Sequence, residues 1–188
     1  MRVISGFLKG KKLDFLRSTN TRPLRDFVKE NIFNIINHSN LINIKLENAT
    51  ILDLYSGVGS FGIECISRGA IKTTFVENDN KALLVLKKNL HNLDIEEYSE
   101  IFNEKTISFI KRQNIKDKFE LIFFDPPFAE SFFINELEII KQSKMYKKKH
   151  LIIIHRETNS KDEIDTIIKI LITKTYGRST IIFGTFLT

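Results

Sequence analysis

Asp125-Pro126-Pro127-Phe128 follows the apolar run Leu121-Ile122-Phe123-Phe124. Two prolines fix φ and remove backbone donors, so the chain cannot extend a sheet beyond Asp125. The Asp125 carboxylate and the Pro126 carbonyl can then point at one locus. Both accept hydrogen bonds, which suits an NH2 group. Phe128 offers a flat face on which a planar base can stack. A nitrogen conjugated to a ring is a poor nucleophile, and acceptors aimed at its hydrogens favour the geometry in which its lone pair faces an electrophile. The plainer alternative is a Pro-rich turn after a strand.

Two segments upstream add weight to the chemical reading. Gly57, Gly59 and Gly62 spell G-x-G-x-x-G directly after the apolar stretch Ile51-Leu52-Asp53-Leu54-Tyr55. Between a strand and a helix, this spacing lets the backbone turn tightly and approach a ligand. A dinucleotide site is the obvious candidate, but Asp53 stands where a pyrophosphate would lie and would repel it. An acid there suits a ligand with positive charge and no phosphate, as in the ammonium and sulfonium of S-adenosylmethionine. A tight turn without a ligand is the competing reading, and the acid with three glycines argues against it. Glu77 closes a second apolar stretch, where a carboxylate can accept from both ribose hydroxyls. Asn78 follows it, and Asp79 reads as a helix cap. Tyr55 lies close enough to the glycine loop to touch a ligand.

These residues need a scaffold that brings strand ends together. Ile51–Tyr55, Thr73–Glu77, Tyr98–Phe102, Phe119–Phe124 and Leu151–Ile154 read as strands. Helices are expected from Asp26 (Val28, Ile32, Ile35 and Ile36 on one face), from the glycine loop to about Arg68, from Asp79 to about Leu93, over 105–112, and over 131–143. Strands written as continuous apolar runs and alternating with helices argue an α/β fold with a mostly parallel sheet covered on both faces. In such sheets ligands bind beyond the carboxyl ends of the strands. Residues 2–8 and 12–16 can form a hairpin. Ile164–Leu171 reads as helix or strand, and Tyr176-Gly177-Arg178-Ser179 as a hairpin turn before Thr180–Phe186.

The chain has 188 residues, 42% of them apolar. That is enough for one domain burying roughly 70% of its unfolded surface. Cys65 is the single cysteine, so a disulfide framework is excluded, and it reads as a small buried apolar residue. The four histidines show no paired metal spacing and no companion suggesting catalysis, and no metal is expected. No apolar run reaches the ~20 residues of a membrane span, and the first residues lack the apolar stretch of a signal peptide, so a cytoplasmic protein is expected. Of the net +6 charge, residues 1–30 carry +5, from eight basic and three acidic side chains. Coding bias would spread charge evenly; a basic segment on a near-neutral body points to a polyanion. Arg2, Lys9, Lys11, Lys12, Arg22 and Arg25 are the phosphate-contact candidates, against the blander reading of a solvated basic loop. The expected division is a basic N-terminal extension (1–40) and an α/β domain (41–188).

With these motifs assembled, the chain resembles the bacterial small-subunit ribosomal RNA guanine-N2 methyltransferases. The resemblance runs through Arg2-Val3-Ile4-Ser5-Gly6, Leu8-Lys9-Gly10-Lys11-Lys12-Leu13, Arg22-Pro23, Val28-Lys29-Glu30 and Ile32-Phe33-Asn34. It continues through Leu52 to Gly59, Ser67-Arg68-Gly69-Ala70, Phe75-Val76-Glu77 and Asp125 to Phe128, and weakens after about residue 145. It implies a Rossmann-like class I methyltransferase fold of about seven strands ending in a reversed hairpin. It also implies methyl transfer from S-adenosylmethionine to guanine N2, in RNA of an assembled or assembling small subunit. Separately, a monomer is expected. By position, Asp53, Gly57 and Gly59 would line the methionine end and Glu77 would bind the ribose; Tyr55, Asn78, Lys105 and Thr106 complete the cofactor-binding candidates. Asp125, Pro126, Pro127 and Phe128 would hold the target base, and the basic N-terminal segment the RNA. Lys105 departs from the family's usual Asp or Asn and cannot accept from an adenine amine. The family's R-P-T reads Arg22-Pro23-Leu24, and an acid expected soon after Leu151–Ile154 is replaced by His155-Arg156.

Other readings remain. An N6-adenine methyltransferase or a protein-glutamine methyltransferase would use the same D-P-P-F chemistry. A non-catalytic RNA-binding or assembly factor could keep the fold. A dinucleotide oxidoreductase is disfavoured by Asp53 and by the absence of any residue set for hydride chemistry.

Overall fold

The structure, a computed structural model, describes residues 1–16, 24–112, 117–127, 132–160 and 162–187. In chain order the elements are α1 (Asp26–His38), β1 (Thr50–Leu54), α2 (Ser60–Ser67), β2 (Lys72–Glu77), α3 (Asn80–Asn92), β3 (Ser99–Asn103), α4 (Thr106–Ile110), β4 (Phe119–Phe124), α5 (Phe133–Gln142), β5 (Tyr146–Glu157), β6 (Ile168–Tyr176) and β7 (Ser179–Phe186). The seven strands form one sheet in the order β3-β2-β1-β4-β5-β7-β6. The first five run parallel, and β7 pairs antiparallel with both β5 and β6.

Period-two alternation explains the continuous apolar strands. Ile51, Leu121, Phe123, Ile153 and Phe183 pack against α1 and α2 on one face. Their neighbours Leu52, Leu54, Ile122, Phe124, Ile152 and Ile154 pack against α4 and α5 on the other. The leucines Leu83, Leu86 and Leu90 of α3 join α2 and Phe75 in a third cluster. Asp79 caps α3 as its position suggests, its Oδ1 accepting from the Ala82 N–H at 2.8 Å. Gly59 precedes α2 with φ +82°, and a Cβ there would stand 2.3 Å from Leu86 Cδ1. No described helix is long and apolar enough to cross a membrane.

Three elements refine the sequence reading. The N-terminal hairpin is short: Arg2 bridges Lys12 antiparallel, with the Val3 N–H donating to the Lys11 carbonyl, the Gly10 N–H to the Val3 carbonyl and the Leu13 N–H to the Met1 carbonyl. The segment also folds around the C-terminus of α2, where helix carbonyls need partners. The Phe7 N–H donates to the Ser67 carbonyl at 2.9 Å, and Val3, Leu8 and Leu13 are buried against Ile63, Ile66 and Phe75. At Gly6 (φ +84°) a Cβ would stand 1.7 Å from the Ser67 carbonyl oxygen, so only glycine fits. β5 starts five residues earlier than its apolar core, at Tyr146, through a register irregularity opposite Phe119–Leu121 that accommodates the exposed lysines 148 and 149. The ambiguous stretch after Ile164 divides: Ile164 and Ile167 cap the α5 face from a turn, and β6 follows as an edge strand.

Segment 1–16, α1 and α2 meet at a buried charge cluster. Glu64 is fully buried, its Oε2 accepting from the Ile4 N–H at 2.7 Å and its Oε1 from the Ser5 N–H at 2.9 Å. Arg68 Nε donates to it at 2.8 Å, and Lys29 Nζ lies 3.6 Å away. The Lys29 ammonium also donates to the Arg2 carbonyl and to Ser60 Oγ. Burial lowers the Lys29 pKa, and the Glu64 charge opposes that shift. Removing one member of such a group leaves the others buried without compensation. Glu64→Ala is therefore expected to cost about 3–5 kcal/mol in urea unfolding. A loss under about 1 kcal/mol would show that Lys29 and the two amides find other partners.

Candidate active site

β1, β2 and β4 end side by side at the carboxyl edge, next to the point where strand order reverses. The chain leaves β1 through Tyr55, held at φ +59°. Asp53 lies beneath this turn and is 1% exposed, its Oδ2 accepting from the Gly62 N–H of α2 at 2.9 Å. Burial pushes its carboxyl well above the usual range; the Gly62 N–H opposes this, and the charges of Asp125 and Glu77 add to it. Glu77 laces two loops together. Its Oε2 accepts from the Gly57 N–H at 2.7 Å, and its Oε1 from the N–H groups of Asn78 and Asp79, both at 2.8 Å. Its remaining acceptor capacity is on Oε2, room for one ligand hydroxyl rather than two.

A cavity of about 440 Å³ opens beside Glu77, within the size range of small-molecule sites. Of the cofactor candidates, Tyr55, Glu77, Asn78, Lys105 and Thr106 line it, whereas Asp53, Gly57 and Gly59 lie outside its lining. Val76, Ile107 and Phe132 give it apolar walls, and Glu104, Asn135 and Glu136 add polar groups. Apolar walls next to a ribose-type acceptor fit a nucleoside. Lys105 is exposed at the N-terminus of α4, presenting donors only. The Tyr55 hydroxyl donates to Glu136 Oε2 at 2.6 Å, fixing α5 to the end of β1.

Asp125 follows β4, with Pro126 buried and Pro127 exposed in the cavity wall. Asp125 Oδ1 lies 2.8 Å from His155 Nδ1, and His155 Nε2 lies 2.9 Å from Ser179 Oγ. On the opposite face of β5, Arg156 donates to the Pro127 carbonyl at 3.2 Å and to both oxygens of Asp162, with its guanidinium over the Phe133 ring. Phe128 and Arg22 are outside the described residues. Arg2, Lys9, Lys11, Lys12 and Arg25 are all exposed. Sequence reasoning missed the His155 companion because Asp125 is 30 positions away. Its one local signal was a polar pair directly after a buried apolar strand.

Asp53 carries a pH consequence. A carboxyl whose pKa is raised by folding holds its proton more tightly in the native state, so stability falls as pH rises above about 4 toward the raised value. Asp53→Asn keeps an oxygen for the Gly62 N–H and removes the ionisation. Its urea midpoint at pH 7 is expected to exceed that of the unaltered protein, with a flatter pH dependence. An unchanged pH dependence would place the titration elsewhere.

Comparison with known proteins bears on what this arrangement is for. Residues 1–185 match the family described as Conserved hypothetical protein 95. The Haemophilus influenzae protein named Ribosomal RNA small subunit methyltransferase D is 33% identical over 158 residues, 84% of this chain and 79% of that one. A solved Haemophilus influenzae structure described as a “putative methylase” superposes with TM-score 0.78 at 28% identity, covering 100% of this chain and 98% of that one. An Escherichia coli structure shares the fold with TM-score 0.83 at 24% identity, over 98% of this chain and 96% of that one. With a class I methyltransferase sheet, and Glu77 at the end of β2 and Pro127 after β4 in the wall of a nucleoside-sized cavity, the chain belongs to this family, that of the small-subunit ribosomal RNA methyltransferases.

Proposed function

We propose that this protein transfers a methyl group from S-adenosylmethionine to the exocyclic N2 of a guanine in small-subunit ribosomal RNA. The observation that carries the reading is Asp125 at the carboxyl end of β4, one oxygen held by His155, beside a cavity walled by Glu77 and Pro127. S-adenosylmethionine would supply an already activated methyl on its sulfonium. Glu77 would accept from a ribose hydroxyl, and Val76 and Ile107 would flank the adenine. The target base, turned out of its stack at a cost of a few kcal/mol, would rest against Phe128. Asp125 and the Pro126 carbonyl would accept its two amine hydrogens and turn the lone pair toward the methyl. Transfer would break the methyl–sulfur bond and form the methyl–nitrogen bond, and the amine proton released would go to Asp125 or to water. Positioning supplies most of such catalysis.

The relatives' names indicate ribosomal RNA as the acceptor. The exposed Arg2, Lys9, Lys11, Lys12 and Arg25, with Arg22, would meet its phosphates. The protein would act as a cytoplasmic monomer without a metal. The direct test incubates purified small subunits with methyl-labelled S-adenosylmethionine and identifies the modified nucleoside by mass spectrometry. N2-methylguanosine is expected. N6-methyladenosine would transfer the reading to the adenine alternative, and failure to bind S-adenosylmethionine in calorimetry would favour a non-catalytic assembly factor.

Two further outcomes follow from the roles assigned. Asp125→Ala is expected to lower kcat by about 10²-fold or more, with little change in S-adenosylmethionine affinity; an equal fall in both would remove Asp125 from the amine site. Subunit binding should weaken steeply with salt, at roughly 0.7–0.9 in log–log slope per phosphate contacted. Replacing Lys11 and Lys12 together by Ala should flatten that slope by about 1–2, and an unchanged slope would take these lysines off the RNA.

A further inference from the structure

Two consecutive residues of β5 grip the Asp-Pro-Pro turn from opposite faces of the sheet. His155 and Arg156 are 4% and 3% exposed. Neither has an apolar neighbourhood's usual occupant, since strand positions buried on both faces normally carry Val, Ile or Leu. His155 points to the α2 face, with its Nδ1 at 2.8 Å from Asp125 Oδ1 and its Nε2 at 2.9 Å from Ser179 Oγ. Arg156 points to the α5 face and donates to the Pro127 carbonyl, while Asp162 and the Phe133 ring hold its guanidinium.

The hydrogen-bond sense at Asp125 follows from chemistry. A carboxylate only accepts, so the proton between the two groups is on Nδ1. Nε2 then accepts from the Ser179 hydroxyl or, in the imidazolium, donates to it. The bond to Asp125 has the same direction in both cases. Among the described residues Oδ2 of Asp125 has no hydrogen-bond partner. The carboxylate is thus anchored by one oxygen and presents the other.

We propose that His155 and Arg156 form a clamp that fixes the Asp125 carboxylate and the turn at Pro127 so that their acceptors meet the target amine, with Ser179 orienting the His155 ring. Both are positioning residues, and the proposal rests on the methyl-transfer reading given above. Without His155 the carboxylate can rotate about its side-chain torsions and lose the orientation that presents Oδ2. The amine would then bind in many orientations, few of them with its lone pair in line.

The test compares His155→Leu, His155→Asn and Ser179→Ala in methylation of small subunits, alongside S-adenosylmethionine affinity by calorimetry and the urea midpoint of each variant. His155→Leu should lower kcat about 10²-fold, the scale of a reacting group misplaced by an ångström, with S-adenosylmethionine affinity and subunit KM changed less than about threefold. His155→Asn keeps an N–H near the Nδ1 position and should recover most of the loss. Ser179→Ala, a mild change in folding terms, should lower kcat several-fold. A folded His155→Leu or Ser179→Ala with kcat unchanged overturns the clamp. So does a variant whose S-adenosylmethionine affinity falls in step with kcat, since that marks general damage. A second measurement needs no activity. The ring Nδ1–H of His155 should give a slowly exchanging, downfield proton resonance in the unaltered protein that disappears in Asp125→Ala. If the unaltered protein methylates nothing, the functional reading fails while this resonance still decides the clamp; its absence from the unaltered protein refutes the clamp by itself.

Discussion

The carboxylate of Glu64 is buried completely, and everything around the glycine loop depends on its being satisfied. An ion taken out of water costs several kcal/mol unless donors replace its hydration. Here the donors come from three separate pieces of chain: the amides of Ile4 and Ser5, the ammonium of Lys29 in α1, and the guanidinium of Arg68 in α2. None of these pieces can leave without exposing the rest, so they assemble as one unit. α2 in turn supplies the Gly62 N–H that meets Asp53. A second tie runs through the buried Asn89, which exchanges hydrogen bonds with the backbone of Asp14 and donates to the Val58 carbonyl. The basic segment and the glycine loop are therefore joined at two points.

The carboxyl edge carries the opposite electrostatic problem. Asp53, Glu77 and Asp125 converge at neighbouring strand ends, where burial first, and then Asp125 and Glu77, raise the cost of ionising Asp53. The structure answers with fixed donors rather than with a salt bridge at each acid. Backbone N–H groups of the turns serve Glu77 and Asp53, and the His155 ring serves Asp125. Such groups hold their orientation without the side-chain entropy that long cations must surrender. A cationic ligand would meet a set of acceptors already in place.

Much of this was legible in the sequence because it is local. Continuous apolar runs announced the parallel strands, the residues that end them announced the carboxyl edge, and Asp79 announced the α3 cap. What was not legible depends on distance along the chain. Tyr55 and Glu136 are 81 positions apart and His155 and Ser179 24, and no periodicity connects them. The hairpin possible at the N-terminus is present in short form, and what its sequence did not announce is the surface it packs on, the apolar residues of α2 and α3. The division into an extension and a domain describes the charge well. In the core, Val3, Leu8 and Leu13 pack with Phe75, and α1 with β1 and β4.

The alternation of β5 has one last implication. His155 and Arg156 serve opposite faces only because a strand turns over at every residue. Exchanging the two would leave composition, net charge and hydropathy untouched, yet it would put a guanidinium beside Asp125 and an imidazole over Phe133. The same inversion would follow from one residue gained or lost between the irregular start of β5 and His155. What this strand encodes at its end is a parity, which a count of residue types cannot register and a single frameshifted position would reverse.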